Sequence, residues 1–138
     1  MTGALFHGAK AVLYRGERLV VMRRDDIPTI PWPGRIDLPG GAREGDESPE
    51  ACCAREVVEE TGLAIDPARF TWRCFNPDAF GPSGSWLFAA EIGEAEEAKM
   101  RLGDEGQALW MIEIGAYLAA TDAIPKQQAR VRAFWAER

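Results

Sequence analysis

Three glutamates, Glu56, Glu59 and Glu60, follow directly on Arg55, and a fourth acid, Glu47, lies upstream of them. On a helix, positions three and four apart share a face, so these carboxylates would crowd one stripe. Like charges at that spacing destabilise a bare helix by roughly 0.2 to 0.5 kcal/mol per pair, a cost that bound divalent cations remove. Oxygen donors of this kind suit Mg2+ or Mn2+. Such ions would neutralise phosphate oxygens that repel an incoming water, lower the pKa of a bound water and bridge nucleophile and substrate. A nearby carboxylate can then accept the water's proton as general base. Arg55 stands four residues before Glu59 and could hold that carboxylate in orientation. The plainer alternative is a solvated acidic face, which three glutamates on an arbitrary helix ordinarily form.

The surrounding spacing argues against that alternative. Residues 41–63 contain Gly41, then Glu47 after five residues, then Arg55-Glu56-Val57-Val58-Glu59-Glu60-Thr61-Gly62-Leu63 after seven more. This segment resembles the Nudix box, G-x5-E-x7-R-E-U-x-E-E-x-G-U with U aliphatic, at all nine specified positions. Chance agreement of the seven fixed residues at a given start is below about one in ten million. The resemblance implies an α/β Nudix fold, a mixed β-sheet sandwiched between α-helices, and a MutT-like pyrophosphohydrolase. It implies that the Gly41 carbonyl, Glu56 and Glu60 bind metal, and that Glu59 serves as base or as a further ligand. Asp104-Glu105-Gly106-Gln107 is similar to a later acidic loop of relatives, making Glu105 a secondary ligand candidate. Asp37-Leu38-Pro39-Gly40 extends the likeness upstream, with Ile36 where relatives often carry Trp.

The elements that must position this box can be read from the surrounding pattern. Ser48 can cap a helix that Pro49 opens and Gly62 ends, because proline suits a first helical position and glycine tolerates the left-handed turn after the last. Ala51, Ala54, Val57 and Val58 are expected on its buried side, with Glu56, Glu59 and Glu60 opposite. Upstream, 10–14 and 18–22 read as strands of a hairpin turning at Gly16. Residues 25–39, with four prolines and Gly34, read as a shaped loop beside the site. Further strands are expected at 70–75, 85–92 and 109–112, with a turn-rich stretch at 76–84. Helices are expected at 114–120 and 125–137, the latter placing Val131, Phe134 and Trp135 on one face. The acids between Glu94 and Glu97 read as a solvated turn.

Substrate contacts have weaker signals. Arg23 and Arg24 end the second strand and could turn guanidinium groups toward phosphate. Trp32, Phe80 and Trp86 could stack on a base, although aromatics are more often core. Trp110 and His7 carry less, and Cys52 and Cys53 have no visible base, so packing is the expectation for them.

With 138 residues and 46% hydrophobic content, the chain is expected to form one domain, 1–138, with a real core. A net charge of -6 gives no sign of binding nucleic-acid polymers, while a divalent cation would still allow a nucleotide-type small molecule to bind. The start of the chain has no leader pattern and no stretch approaches a membrane helix, so a cytoplasmic location is expected. Three cysteines argue against a disulfide framework. Dimerisation is common in the family, yet no stretch specifies it. The leading expectation is metal-dependent hydrolysis of a phosphoric anhydride in a nucleoside diphosphate linked to another moiety, including an oxidised nucleoside triphosphate. The alternative is a nucleotide or sugar-nucleotide sensing module without turnover, against which the intact box counts. An isoprenoid diphosphate isomerase would call for histidine ligands, and the chain has only His7.

Overall fold

β1 (Gly8–Arg15) and β2 (Arg18–Arg23) form the expected hairpin, turning at Gly16 with φ of 60°, a conformation that glycine adopts without strain. Only Tyr14 with Leu19 and Arg15 with Arg18 are paired, so the two strands part soon after the turn. Into the wedge come β3 (Ile36–Asp37), paired with the end of β2, and β4 (Gly40–Ala42), paired with the start of β1. β6 (Gly84–Glu91) runs parallel to β1 on its other side and pairs with β5 (Trp72–Pro77) at the edge. β7 (Ala108–Glu113) pairs antiparallel along β2. The computed structural model describes residues 5–138; residues 1–4, part of the start read above for a leader, lie outside them.

Strand alternation sends side chains to two cores. Ala9, Ala11, Leu13, Val20 and Phe88 face α1 (Pro49–Thr61), while Val12, Leu19, Val21, Leu87 and Ala89 face α3 (Ile114–Ala119) and α4 (Pro125–Glu137). Burying each Leu or Val contributes roughly 1.5 to 3 kcal/mol, so both helical layers are tied to the sheet by ordinary apolar packing. The mixed sheet between helices is the expected fold.

α1 begins and ends as its sequence dictates. Ser48 Oγ accepts from the Ala51 N–H at 3.1 Å, Pro49 takes the first turn, and Gly62 closes it at φ of 76°. Its buried face differs from expectation: Cys52, Cys53, Val57 and Thr61 are buried, whereas Ala51 and Val58 are exposed. The thiols pack as small apolar groups, and Thr61 meets its own hydroxyl's needs by donating to the Val57 carbonyl at 2.7 Å. Two further differences are local. Phe70 belongs to a 3-10 turn, Pro67–Arg69 with Phe70 as its cap, so the strand starts later, at Trp72. The acids at 94–97 form a helix, α2 (Glu94–Lys99), instead of a turn.

Candidate active site

β4 and α1 build the site together. Gly40 has φ of 143° and lies against Ala9 and Lys10 of β1, where any side chain would collide with backbone. Gly41 faces α1 so closely that a methyl group there would run into the Glu56 carboxylate. The glycine pair thus lets β4 lie close against β1 and leaves room for the Glu56 carboxylate beside it. Glu56, Glu59 and Glu60 line a groove of about 590 Å3 with Gly41, and Asp104 and Glu105 from the loop before β7 line it as well.

The charge in this groove is poorly compensated. Among the described residues Lys10 and Arg24 are its only lining cations, and both are engaged by buried Asp37: Lys10 Nζ donates to Oδ2 at 3.0 Å and Arg24 Nη1 at 3.1 Å. Glu60 accepts from the Gly40 N–H at 2.8 Å, yet burial pushes its carboxyl up to about 7, with Glu56 and Asp37 adding to the rise. Burial also raises Glu56, against the opposing pull of Arg55. A carboxylate that is costly to ionise beside other acids is the setting that a divalent cation relieves.

Arg55 is bonded to several acids at once. Its Nε donates to Glu47 at 2.7 Å, and its Nη1 reaches Glu56 at 2.9 Å and Glu59 at 3.1 Å. Nη2 donates to the Ala42 carbonyl at 2.8 Å, which ties the helix to the end of β4. The hydrogen bond from Arg55 holds the Glu47 carboxyl down at about 2. Glu47 is therefore the structural anchor of this arginine, and Glu59, half out in solvent, is the acid it orients at the groove mouth.

The acids that line this groove with Gly41 fit Mg2+ or Mn2+, since they are hard oxygen donors gathered on one surface. Among the described residues no three of these acids are drawn together into a closed cage, because Glu56 leans to Arg55 and Glu60 to Gly40. Cys52 and Cys53 are buried, and that burial pushes their thiols up, Cys52 to about 11, away from the thiolate form that a nucleophile needs.

The expected substrate contacts separate. Arg24 lines the groove and also an adjoining cavity of about 370 Å3, which Trp86 lines too. Trp86 packs between Phe75 and Phe88, with centroids at 5.4 and 5.8 Å. Arg23 turns elsewhere, donating to the Gly34 carbonyl and Asp122 and lying over Trp110. Trp32 and Phe80 line neither cavity; Phe80 is 92% exposed. Sequence reasoning missed Lys10 and the α4 residues Lys126, Gln127 and Arg130 that line the second cavity. The polar spacing of those three at the start of α4 was visible, but not the surface it would face.

A model of the NUDIX domain family matches residues 5–131. A "MutT-like protein" of Streptomyces ambofaciens is 43% identical over 63 residues, which is 46% of this chain and 37% of that protein, so the match spans little more than a third of the relative's length. Among solved structures, a MutT protein from Methanosarcina mazei Go1 has a TM-score of 0.76 at 20% identity, covering 96% of this chain and 95% of its own. A bifunctional NMN adenylyltransferase/ADP ribose pyrophosphatase from Francisella tularensis, complexed with AMP and a Mn ion, has a TM-score of 0.68 at 15% identity. That likeness covers 99% of this chain and 42% of the Francisella protein. At these identities the structural likenesses establish the fold.

Proposed function

The chain belongs to the NUDIX domain family, and from that premise we propose that it hydrolyses a phosphoric anhydride bond in a nucleoside diphosphate linked to another moiety. The observation that carries the reading is the groove itself, where five acids face two cations already engaged by Asp37. The Gly41 carbonyl, Glu56 and Glu60 would hold Mg2+ or Mn2+, with Glu105 as a further oxygen donor from the loop before β7. Bound there, the cation supplies charge neutralisation of the phosphate oxygens and a water of lowered pKa.

This chain's own groups do the remainder. Glu59, at the groove mouth, accepts the proton from the attacking water as its oxygen bonds to phosphorus; the leaving phosphate departs with the electron pair of the broken P–O bond. Arg55, anchored by Glu47, bridges Glu56 and Glu59 through one nitrogen and keeps them aimed. Arg24 and Lys10 sit where the groove meets the second cavity and face the phosphates on their way through. Trp86 borders the adjoining moiety. The Francisella relative's AMP and Mn ion support the nucleotide class and the cation class. This domain would work in the cytoplasm, and its three free cysteines fit a reducing compartment.

The test is a panel of canonical and oxidised nucleoside triphosphates, nucleotide sugars and dinucleoside polyphosphates with Mg2+ or Mn2+, scored by mass spectrometry of the products. Metal-stimulated cleavage that the Glu56→Gln and Glu60→Gln variants lose is the expected result. Tight binding with no metal-stimulated phosphate release would instead make the protein a sensor.

A further inference from the structure

The acidic groove and the second cavity share Lys10, Arg24, Gly41 and Ala42, yet their charges are opposite. No acidic side chain lines the second cavity, whereas Lys10, Arg24, Lys126 and Arg130 all do. Asp37 answers the first two. Neither Lys126 nor Arg130 has a carboxylate partner among the described residues. Half-buried Arg130 donates through Nη1 only to neutral oxygens at long range, Ser85 Oγ at 3.3 Å and Gln127 Oε1 at 3.5 Å. Burial pulls the Arg130 guanidinium down, and the nearby charges of Cys74 and Asp78 offset that only in part.

Two independent features point the same way. Gln127 is only 3% exposed and lines this cavity, but its Nε2 donates to no protein group among the described residues. Among the described residues only Tyr117 Oη is a fully buried side-chain polar atom without a partner, so Gln127 Nε2 keeps access to the cavity and is free to donate into it. Lys126 and Arg130 are also four residues apart on α4, so like charges face one space, and the first turn of that helix has no acid and no side-chain cap. Cations at the positive end of a helix are unfavourable unless an anion sits between them.

We propose that the second cavity is an anion subsite, which receives a phosphate or carboxylate that the substrate carries in addition to the anhydride cleaved in the groove. Arg130 holds it by its fork, Gln127 Nε2 donates to it from the cavity wall, and Lys126 draws it in at the mouth. The inference rests on the hydrolase reading for the substrate that spans both chambers, but the charge pattern of the cavity stands by itself. It makes the substrate class a nucleoside diphosphate derivative with a second acidic group.

Three matched pairs test it, each differing by one acidic group: coenzyme A against dephospho-coenzyme A, NADPH against NADH, and UDP-glucuronate against UDP-glucose. The first two add a phosphate and the third a carboxylate, so the pair that discriminates identifies the source of the anion. The expected result is a kcat/KM ratio of roughly tenfold or more for the acidic member of at least one pair. Arg130→Gln should collapse that ratio toward one, and Arg130→Lys should keep part of it. Ratios within about twofold of one in all three pairs, or a ratio unchanged in Arg130→Gln, would overturn the proposal. If Arg130→Gln melts below the assay temperature, exposed Lys126→Gln carries the same comparison. Should none of these six compounds be cleaved, the hydrolase reading is judged by its own panel, and calorimetric titration of the metal-free protein with the same pairs decides the subsite. Tighter binding of an acidic member, lost in Arg130→Gln, supports the subsite; equal binding of both members overturns it.

Discussion

Two acidic clusters of similar composition lie on this protein, and they have opposite electrostatics. On α2, Glu97 accepts from Arg15 at 2.8 Å and from two nitrogens of Arg18 at 2.9 Å, while Glu96 is forked by Arg69 at 2.7 and 2.8 Å and caps the Gly93 N–H. Hydrogen bonds from Arg18 and Arg69 hold the Glu97 and Glu96 carboxyls down at about 2. On α1, burial instead pushes Glu60 up to about 7 and raises Glu56, and the Arg55 guanidinium is divided among Glu44, Glu47, Glu56 and Glu59. An acidic run is therefore not a site by its charge alone. The α2 acids are answered by arginines and fasten the hairpin and the 67–69 turn to the helix, whereas the α1 acids are left wanting a cation.

The sharpest way to break this contrast is to neutralise one acid in each cluster. Glu56→Gln or Glu60→Gln should lower metal-dependent turnover by roughly 100-fold or more, since even outer partners of metal ligands cost about 10 to 100-fold. Glu97→Gln should stay within about twofold of wild type, as expected for a screened surface pair. Equal losses in both would dissolve the distinction. Next in size, Mg2+ at about 100 times its dissociation constant should stabilise wild type by roughly 2.7 kcal/mol, seen as a higher melting temperature. The rise should persist in Glu97→Gln and shrink in Glu56→Gln and Glu60→Gln. Arg55→Lys keeps the charge but loses the fork, so a turnover loss of about 10 to 100-fold is expected, read as a fall in kcat with the fold intact by circular dichroism.

Local spacing made the α1 cluster legible. Ser48, Pro49 and Gly62 specify the helix by interactions within a few residues, and the glutamate stripe follows from helical geometry once the helix exists. The buried side of the same helix was read less well. Apolar identity favoured Ala51 and Val58, but the sheet takes up Cys52, Cys53 and Thr61, whose sulfur and self-bonded hydroxyl are buried at little cost. The α2 helix escaped notice because what neutralises it comes from Arg15, Arg18 and Arg69, none adjacent in sequence. Lys126, Gln127 and Arg130 escaped for the same reason: their cavity exists only after α4 packs beside the start of β1 and β6. Arg23 and Arg24 were equivalent in sequence, but Arg23 closes β2 and turns to Asp122, while Arg24, just past the strand, turns to Asp37.

The smallest expected effect is also the one in which the clusters differ in sign. Glu60 has a folded pKa of about 7 against an ordinary 4.5, so in metal-free protein it binds a proton more readily folded than unfolded. Its contribution to stability is fully present below about 4.5 and is lost as pH rises through about 7. Glu96 and Glu97 are lowered to about 2, so their contribution is present above about 4.5 and is lost as pH falls toward 2. Melting temperatures of the metal-free protein should therefore show a downward component between pH 5 and 7 that Glu60→Gln removes and Mg2+ suppresses. Glu97→Gln should leave that window alone and soften only the acid limb, by an amount that shrinks further in about 0.5 M salt, because both of its arginine partners are exposed enough to be screened. A Glu97→Gln change in the neutral window, or an Mg2+-sensitive acid limb, would mean that the two clusters are one electrostatic unit.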